Sequence, residues 1–589
     1  MNRGFSVCSF LKSIWKLSVT IDIKTYGQYN KNINLDFICT STGNRTEIIM
    51  IEFDYKLPSL NINGKQNGTY NNQEMALPCV LTTETAKPGN FLRILHDELC
   101  RERKLVFIDG KVLMCNKNWI RDHVHIMKGF KHFEYDLKSY LEFTLQTQHE
   151  KGYFYELIKQ MDDYHWTYVD SDHYVLYPED NLSLVRLELE ADVEYIVVEG
   201  AMQYYRATGD LDFIRKYIGN LEKAIDYITS DEKRFSREYG LCIRPYTIDT
   251  WDFLNDESSQ TDRRVHEGEQ MCMMHGDNSG VFRAMLDLAF FQDKLGNAEK
   301  ANQWRIRAEE IRKNMFRYLW NGKFFVHQRP VTGEPLDGNE NIRLSLSEAY
   351  DINRGVTTLE EAGSIIEEYL KRKETTPYFA EWFTIDPPYE KFNQYTKGQY
   401  VNGTISPFTA GELAKAAFNN GYEAYGFDIL ERFMALTERD GAVYFLYHPI
   451  TGNRKGGGPS AWGAAALISA FDEGLAGVND ADCLYREINF SPKFTVCPYG
   501  EIRYLTGYEI SHKFVDVRYV LKDEGLRYDI FSEAEKINAK ILLPKGKHCK
   551  ALLVNGEEIP FEIETVRESE YVCASVAGAK KISFEILFI

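Results

Sequence analysis

Residues 195–229 have the sequence YIVVEGAMQYYRATGDLDFIRKYIGNLEKAIDYIT, and this stretch decides the fold of the central region. Apolar residues recur every three or four positions on both sides of ATGD, which is the spacing of one face of an α-helix. The Gly209-Asp210 pair breaks this pattern in the way that a helix end followed by a new helix start does. The stretch therefore predicts two helices joined by a tight turn.

The same helix-pair pattern extends from about residue 119 to residue 477. Gly-Asn and Asn-Gly breaks separate further partners at KLGNAEK (294–300) and FNNGYEA (418–424). Small residues in GAAALISA (463–470) suit close packing between helices. Because no strict repeat is present, a closed helical barrel is favoured over an open array of the tetratricopeptide type.

Runs of β-branched and alternating residues flank the helical region. They include KLSVTIDIK (16–24) and TEIIMIEFDYKL (46–57) before it, and VDVRYVLKDEGLRYDIF (515–531) and KKISFEILFI (580–589) after it. We therefore predict a mainly α fold in three parts: an N-terminal β-rich domain over 1–105, a helical barrel over 106–480 and a C-terminal β-sandwich over 481–589.

Composition excludes several classes of protein. The 589 residues include 69 Lys and Arg against 87 Asp and Glu, which gives a formal net charge of −18. This charge argues against nucleic acid and anionic membrane surfaces as partners, because phosphate binding needs a basic face. At 44% hydrophobic and 26% charged residues the chain is typical of a packed globular protein rather than a disordered one.

Cysteine use and the first residues predict the compartment. The 11 Cys are scattered without a C-x-x-C pair, which favours reduced thiols in a reducing compartment. The opening residues, MNRGFSVCSFLKSIWKLSVTID, contain Lys12 and Lys16 within their apolar run. We interpret them as a strand rather than a signal peptide, and we expect a cytoplasmic protein. The sequence does not indicate an oligomeric state.

Four stretches resemble the six-hairpin glycosidases, a superfamily that includes trehalases, amylo-glucosidases, α-L-rhamnosidases and inverting disaccharide phosphorylases. They are WIRDHVHIMKGF (119–130), YIVVEGAMQYYRATGDLDFIRKY (195–217), YTIDTWDF (246–253) and GGGPSAWGAAALISAFDEGLAG (456–477). The resemblance covers about residues 105–480 and implies an (α/α)6 barrel with flanking β-domains. It implies a glycosidase that acts on a carbohydrate, without a cofactor or a metal.

Inverting hydrolysis of a glycosidic bond needs one carboxyl that protonates the leaving oxygen and a second that activates water, roughly 6.5–9.5 Å away. Asp252 is the candidate general acid, because a neighbouring Trp251 would raise the pKa of its carboxyl. The resemblance supports this role, since trehalase-like enzymes place their acid in a matching Trp-Asp-Phe. Asp249 is the alternative acid. From composition alone, either aspartate would more often be a turn or capping residue.

A second group of candidates lies in the first motif. The resemblance implies that Asp122 accepts hydrogen bonds from the hydroxyls of the terminal sugar, and that Arg121 and Trp119 lie beside it. A structural Arg-Asp pair at a helix start is an equally good interpretation. The nearby His123 and His125 face different sides of a helix, so we do not predict a metal site.

Two further stretches are expected to line the mouth of the barrel. EWFTIDPPY (381–389) offers Trp382 as a sugar contact and Glu381 as a weak candidate for the general base, or else as a member of a structural ion pair. QYVNGTISPF (399–408) resembles the stretch that contacts the first sugar subsite, with Tyr400 and Asn402 as polar contacts. A tight turn before a helix explains the same residues.

The expected general base is missing from its usual place. Trehalase-like relatives carry a Glu two residues before the Tyr of a Glu-x-Tyr-x-Pro stretch, whereas YFLYHPITGN (444–453) has Phe445 there. Tyr447, His448 and Trp462 remain candidate substrate contacts. Either the base comes from elsewhere, or phosphate replaces water as the nucleophile, as in the related phosphorylases. His448, Arg454 and Lys455 could then hold phosphate, although surface charges on a Gly-rich loop are the better explanation.

We therefore predict an exo-acting, inverting glycoside hydrolase that removes a terminal sugar from an oligosaccharide or glycoside. An inverting disaccharide phosphorylase, or a non-catalytic glycan-binding protein on a decayed glycosidase barrel, remains the alternative.

Overall fold

A computed structural model describes residues 36–38, 50–52, 86–161, 171–251, 253 and 264–589. Most of the predicted N-terminal β-rich domain lies outside these residues. Within it, strands β1 (Asp36–Ile38) and β2 (Met50–Glu52) pair antiparallel.

Twelve α-helices are present among the described residues, and the even-numbered ones form an inner ring. Each even-numbered helix contacts the next, and the last contacts the second helix and so closes the ring, while the odd-numbered helices lie outside. The helices are α1 (Ala86–Glu102), α2 (Ile120–Phe130), α3 (Ser139–Gln146), α4 (Val193–Thr208), α5 (Leu211–Ile228), α6 (His275–Lys294), α7 (Ala298–Tyr318), α8 (Ser347–Asn353), α9 (Leu359–Thr375), α10 (Pro407–Asn419), α11 (Glu423–Asp440) and α12 (Ala461–Ser469).

Helix α1 lies within the range that the sequence predicted to be β-rich. Its buried residues Phe91, Leu95 and Leu99 recur at helical spacing and pack into the core of the barrel. Since α1 contacts α2, α11 and α12, it completes the outer layer where the ring closes. The helical region therefore begins at Ala86.

The small residues of α12 allow the ring to close tightly. A Cβ added at Gly129 of α2 would lie 2.9 Å from the Cα of Ala465, and one at Gly411 of α10 would collide with the backbone of Ala466. Glycine is needed at both positions because the backbones of these helices approach α12 directly.

Short strands lie in the connections that lead from an outer helix to the next inner helix. The opposite connections are short turns; Gly209 and Asp210 alone join α4 to α5. The strands are β3 (Lys104–Ile108), β4 (Lys111–Cys115), β5 (Leu157–Gln160), β6 (Tyr174–Tyr177), β7 (Leu182–Val185), β8 (Phe235–Ser236), β9 (Leu241–Cys242), β10 (Arg244–Pro245), β11 (Met271–Met274), β12 (Gln328–Pro330), β13 (Leu344–Ser345), β14 (Ile385–Asp386), β15 (Lys391–Phe392), β16 (Tyr395–Thr396), β17 (Tyr444–Tyr447) and β18 (Arg454–Pro459).

The C-terminal region consists of two β-sheets, as the sequence predicted. Its strands are β19 (Val478–Asp480), β20 (Glu487–Phe490), β21 (Glu501–Tyr508), β22 (Lys513–Lys522), β23 (Gly525–Phe531), β24 (Lys536–Leu542), β25 (Cys549–Val554), β26 (Glu557–Ile559), β27 (Glu562–Val566), β28 (Ser569–Ala577) and β29 (Lys581–Phe588). Five strands pair in the order β19-β20-β24-β28-β27 and six in the order β21-β22-β23-β29-β25-β26. Side chains of the two sheets meet, with the rings of Phe490 and Tyr528 5.4 Å apart.

A buried charge cluster joins the barrel to these sheets at the C-terminal ends of the inner helices. Glu473, in the turn that continues α12, accepts a hydrogen bond from Lys131 at 2.9 Å and pairs with Lys415. The neighbouring Asp472 accepts a hydrogen bond from the hydroxyl of Tyr504 on β21 at 2.9 Å. Among the described residues, no helix is long and apolar enough to cross a membrane.

Candidate active site

The first turns of the inner helices gather at one end of the barrel, together with the strand-bearing connections. We call this end the mouth. Side chains of neighbouring inner helices contact one another at this end. Arg121 of α2 contacts Asp192, the residue before α4, and His275 of α6 contacts Asp351 of α8. Trp462 of α12 contacts both Phe408 of α10 and His125 of α2.

One wall of the mouth is aromatic. Trp251, in the connection before α6, has its ring about equally far from three others: 6.0 Å from Phe408, 6.0 Å from Trp462 and 6.1 Å from Tyr400. Phe445 joins this wall 6.2 Å from Trp251. Flat apolar rings of this kind suit the faces of sugar rings. The position where a general base was sought is therefore part of an apolar surface.

A second wall is charged, and Arg121 is at its centre. The guanidinium donates to both carboxylate oxygens of Asp192, at 2.5 and 2.7 Å, and also pairs with Glu190. All three residues are buried. The wall thus holds the carboxylates of Glu190 and Asp192 against the guanidinium of Arg121. Asp122, the next residue after Arg121, is half-buried.

Arg244 connects the two walls. Its Nη2 donates to the carbonyl oxygen of Trp251 at 2.5 Å, and its Nη1 lies 3.6 Å from Oδ2 of Asp277. Within the described part of the chain, Nε and Nη1 of Arg244 and Oδ1 of Asp277 have no hydrogen-bond partner, although all are buried. Burial raises the pKa of the Asp277 carboxyl to about 6, against the opposing charge of Arg244. Buried polar atoms without partners are costly, which makes these atoms candidates for contact with a polar ligand that enters the mouth.

Asp249 holds the loop that leads to Trp251. Its backbone is left-handed, with φ of 52°, and its carboxylate accepts from the hydroxyl of Ser347 at 2.5 Å and from the backbone N–H of Thr250 at 2.8 Å. Burial acts to raise its pKa, but the charges of His275 and His327 and hydrogen bonds from serines hold that pKa below its ordinary value. Asp249 is therefore an ionised anchor, and a general acid needs the opposite shift.

His275 forms a buried cluster with two carboxylates behind Asp249. Its Nδ1 lies 2.5 Å from Asp351 and its Nε2 lies 3.8 Å from Glu348 and 2.9 Å from the hydroxyl of Ser345. One side-chain nitrogen or oxygen atom from each of His275, Glu348 and Asp351 lies within 4.8 Å of the others, which is a spacing that a metal ion could use. Although burial acts to lower it, Asp351 and Glu348 raise the pKa of His275 to about 9. The imidazolium of His275 thus lies against Asp351, while burial raises the pKa of Glu348 well above its ordinary value.

The structure brings together several of the predicted site residues. Trp251, Tyr400 and Trp462 form the aromatic wall, and Arg121 lies on the charged wall. Asp122 follows Arg121 in α2 and is half-buried. Asp252 lies outside the described residues, between Trp251 and Phe253. Trp119 is half-buried and packs on Leu157, Val185 and Leu187.

Other predicted residues lie beneath the surface of the mouth. Both oxygens of Glu381 accept hydrogen bonds from Arg432, at 2.7 and 2.9 Å, and one also accepts from Tyr425. Trp382 is fully buried under the same Arg432, whose guanidinium lies 4.6 Å from its ring. The structure therefore places both side chains in ion-pair and core contacts rather than at an open surface.

Asn402 and Tyr447 also have structural contacts. The side-chain amide of Asn402 accepts a hydrogen bond from the backbone N–H of Tyr389 at 2.9 Å and donates one to its carbonyl at 3.0 Å. These two bonds stabilise the loop before α10. The hydroxyl of Tyr447 accepts from the backbone N–H of Tyr444 at 3.0 Å. Both predicted contacts are fully buried.

The cations considered for phosphate binding do not converge. Nδ1 of His448 accepts from the backbone N–H groups of Ile450 and Thr451. Arg454 donates to the hydroxyl of Tyr444 at 2.6 Å, and Lys455 donates to the carbonyl of Gly398.

The sequence analysis missed the charged wall except for its first motif. Glu190 and Asp192 lie in LELEAD (187–192), which looks like part of a helix, and Arg244 lies in a two-residue strand. Asp277 follows a His-Gly pair at the start of α6. Position alone gave a signal for Glu190, Asp192 and Asp277, because these residues lie just before an inner helix or in its first turn. Arg244 lies far from α6 in the connection that precedes it, and its position gave no such signal.

The closed helical ring, its strand-bearing connections and a mouth with an aromatic and a charged wall define a glycoside hydrolase of the six-hairpin class. The sequence profile of the mannosylglycerate hydrolase MGH1-like glycoside hydrolase domain matches residues 116–463, more than half of the chain, and the chain belongs to this family. No curated protein matches the chain.

Solved structures support the same fold. An α-L-rhamnosidase from Dictyoglumus thermophilum has 10% identity and a TM-score of 0.56 over 87% of this chain and 51% of its own. An α-L-rhamnosidase from Streptomyces avermitilis, complexed with L-rhamnose, has 11% identity and a TM-score of 0.54 over 87% and 42%. A sialidase has 13% identity and a TM-score of 0.52 over 82% and 40%. The chain thus spans about half or less of the length of these structures.

Proposed function

We propose that the protein is an exo-acting, inverting glycoside hydrolase that removes a terminal sugar from an oligosaccharide or glycoside. The observation that carries the proposal is the hydrogen bond from Arg244 to the carbonyl of Trp251. This bond joins the charged wall to the aromatic wall at the residue directly before Asp252. A sugar between these walls would have its face on the rings and its hydroxyls on the carboxylates.

Asp252 is proposed as the general acid. Its neighbours Trp251 and Phe253 are 5% and 3% exposed, so the loop on either side of it is apolar and buried. Such surroundings raise the pKa of a carboxyl and keep it protonated near neutral pH. Asp122, which is half-buried and follows Arg121 in α2, is proposed to bind the hydroxyls of the terminal sugar.

Asp277 is proposed as the base that replaces the missing Glu. Its carboxyl has an oxygen without a partner among the described residues and a pKa raised by burial to about 6, so it is ionised at neutral pH. One guanidinium contacts both Asp277 and the carbonyl of Trp251, so Asp277 lies near the residue directly before Asp252.

Phosphorolysis is the second candidate, and Phe445 is the observation that favours it. An attacking phosphate needs no base, so an apolar ring in place of the usual Glu would be tolerated. The positions of His448, Arg454 and Lys455 do not add support.

The test is release of free sugar from a panel of aryl glycosides and disaccharides, with and without inorganic phosphate. The panel includes mannosylglycerate and rhamnosides, because the family and the structural relatives carry those names. Release without phosphate, with the anomeric configuration inverted in the first minutes of an NMR time course, supports the proposal. Release only with phosphate supports the second candidate. If the folded protein releases no sugar from any compound in the panel, both candidates are contradicted.

A further inference from the structure

A groove with a volume of about 790 Å³ lies between α9 and the connections that lead from α7 to α8 and from α9 to α10. It shares no residue with the two walls of the mouth. Its charged lining residues are Lys323, Arg329, Lys371, Arg372, Glu368 and Asp386. Four cations face two carboxylates, which leaves a local excess of two positive charges in a chain whose formal net charge is −18.

One cation takes up most of the available negative charge. Arg372 donates to Asp386, to Glu368 and to the carbonyl of Ile342, each at 2.8 Å. These three contacts satisfy its guanidinium, so Arg372 is part of the structure of the groove.

Lys323 and Lys371 both lie near the carboxylate of Glu368, which is already bonded to Arg372. Lys323 lies 3.4 Å and Lys371 lies 3.8 Å from the same oxygen of Glu368, whose other oxygen is bonded to Arg372. Both lysines are about three-fifths exposed, at 62% and 61%. Exposed pairs of this geometry hold the side chains weakly, so both ammonium groups can turn towards a ligand.

Arg329 provides the second, independent observation. Its Nε is buried, and within the described ranges that nitrogen has no hydrogen-bond partner. Arginine carries five donors in a rigid fork that matches a carboxylate or phosphate, and a buried guanidinium nitrogen without an acceptor is rare. Arg329 itself is half-buried at the groove and forms no ion pair with a carboxylate of the described residues, so its guanidinium is available to an anionic group bound there.

We infer that this groove is a second glycan-binding site, separate from the mouth, that takes an acidic oligosaccharide whose sugars carry carboxylate groups. Several separate cations along a volume of this size suit a chain with repeated charges better than a single ion. Ile342, which is 56% exposed at the groove, offers an apolar surface for a sugar face. The choice of a glycan rests on membership of a glycoside hydrolase family, and not on the proposed acid and base.

The test is equilibrium binding of tetragalacturonate, measured by calorimetry on the full chain at low salt. Maltotetraose is the neutral probe, and inorganic phosphate is the simple anion. We expect tetragalacturonate to bind and maltotetraose not to bind. Binding should weaken as salt rises, because exposed charges are screened.

Arg329→Gln combined with Lys371→Gln should weaken the affinity for tetragalacturonate about tenfold or more, since two charge-assisted contacts are lost. The matched control is Lys300→Gln with Arg305→Gln, which removes the same charge from exposed positions near the other end of α7. The control should change the affinity less than about twofold.

Equal loss of binding in the control would show a general charge effect and overturn the site. Unchanged binding in the groove variant would overturn it as well. If phosphate binds through the same residues as tightly as tetragalacturonate does, the groove is a site for simple anions and the glycan assignment is wrong. Each measurement is independent of turnover, so a failure of the proposed catalytic function would not change these outcomes.

Discussion

The two ends of the helical barrel use their charged residues differently. At the end that meets the C-terminal sheets, both oxygens of Glu473 are paired with lysines, and Asp472 accepts a hydrogen bond from Tyr504. At the mouth, Arg244 and Asp277 keep buried polar atoms without partners among the described residues. At the sheet end the lysine–glutamate pairs join two regions, and we propose that the polar atoms without partners at the mouth bind a ligand.

We propose that the charges at the sheet end stabilise the fold, whereas those at the mouth act in catalysis. A substitution at the sheet end should change stability and leave turnover alone. A substitution at the mouth should change turnover more than stability. Each prediction below tests one side of this contrast.

The largest effect is expected from Asp252→Asn. Loss of the general acid should lower kcat about 100- to 10,000-fold with the fold intact, because the leaving oxygen is no longer protonated. Steady-state kinetics on an activated and an unactivated glycoside measures it, and the loss should be smaller for the activated leaving group. Wild-type turnover in the variant would show that the acid lies elsewhere.

Asp249→Asn is the matched control three residues earlier in the same loop. Asn keeps the shape of the carboxylate but loses the charge that anchors the loop, so stability should fall while part of the activity survives. Loss of turnover as complete as in Asp252→Asn, without a loss of stability, would make Asp249 the acid instead.

Glu473→Gln tests the opposite end. It leaves the buried Lys131 and the partly buried Lys415 without their carboxylate partner, and it should lower the free energy of unfolding by about 3 kcal/mol. Urea titration measures the loss, and kcat should remain unchanged. Glu568→Gln, at an exposed pair with Lys545, is the control and should have no measurable effect. A fall in kcat without a loss of stability would remove the contrast between the ends.

Asp277→Asn should lower kcat about 100-fold if Asp277 activates the water. A base must be ionised, so the activity of the wild type should rise as the pH rises through about 6, the pKa of this carboxyl. The variant should lose that limb of the pH profile. Asp287→Asn is the control on the same helix, since Asp287 pairs with Arg283 nearer the other end, and it should leave the profile unchanged.

The smallest effect concerns the pH dependence of stability at the sheet end. Burial raises the pKa of Asp472 to about 7, above its ordinary value of 3.8, so the folded state binds this proton more tightly than the unfolded chain does. The resulting stabilisation is complete below about pH 4 and is lost as the pH rises through 7. Between pH 6 and 8 this amounts to about 1.4 kcal/mol.

Asp472→Asn should remove this part of the slope. Urea titrations at pH 6, 7 and 8 compare the variant with the wild type. The neighbouring His132 does not compensate, because burial lowers its pKa to about 3 and it stays neutral over this range. An unchanged slope would show that Asp472 is ionised in the folded protein at neutral pH.

Much of the fold could be predicted from local patterns. The break at Gly209-Asp210 ends α4 and starts α5, with Gly209 at φ of 66° and the side chain of Asp210 accepting from the N–H of Phe213 at 2.9 Å. Helix α1 was missed because its range follows a long run of β-like residues, and its role depends on contact with α12.

The residues of the candidate site likewise fall into those that local sequence patterns indicated and those that only the tertiary structure revealed. The sequence by itself determined the helix pairs, the C-terminal sheets and the motifs that contain Trp251, Tyr400, Trp462, Arg121 and Asp122, because spacing and residue type are local properties. Only the tertiary structure decided that Glu381 pairs with Arg432 and that, among the described residues, Arg244 and Asp277 have buried polar atoms without hydrogen-bond partners. Burial and hydrogen-bond partners depend on residues far apart in the chain, so no local pattern could show which charges are satisfied and which remain for a substrate.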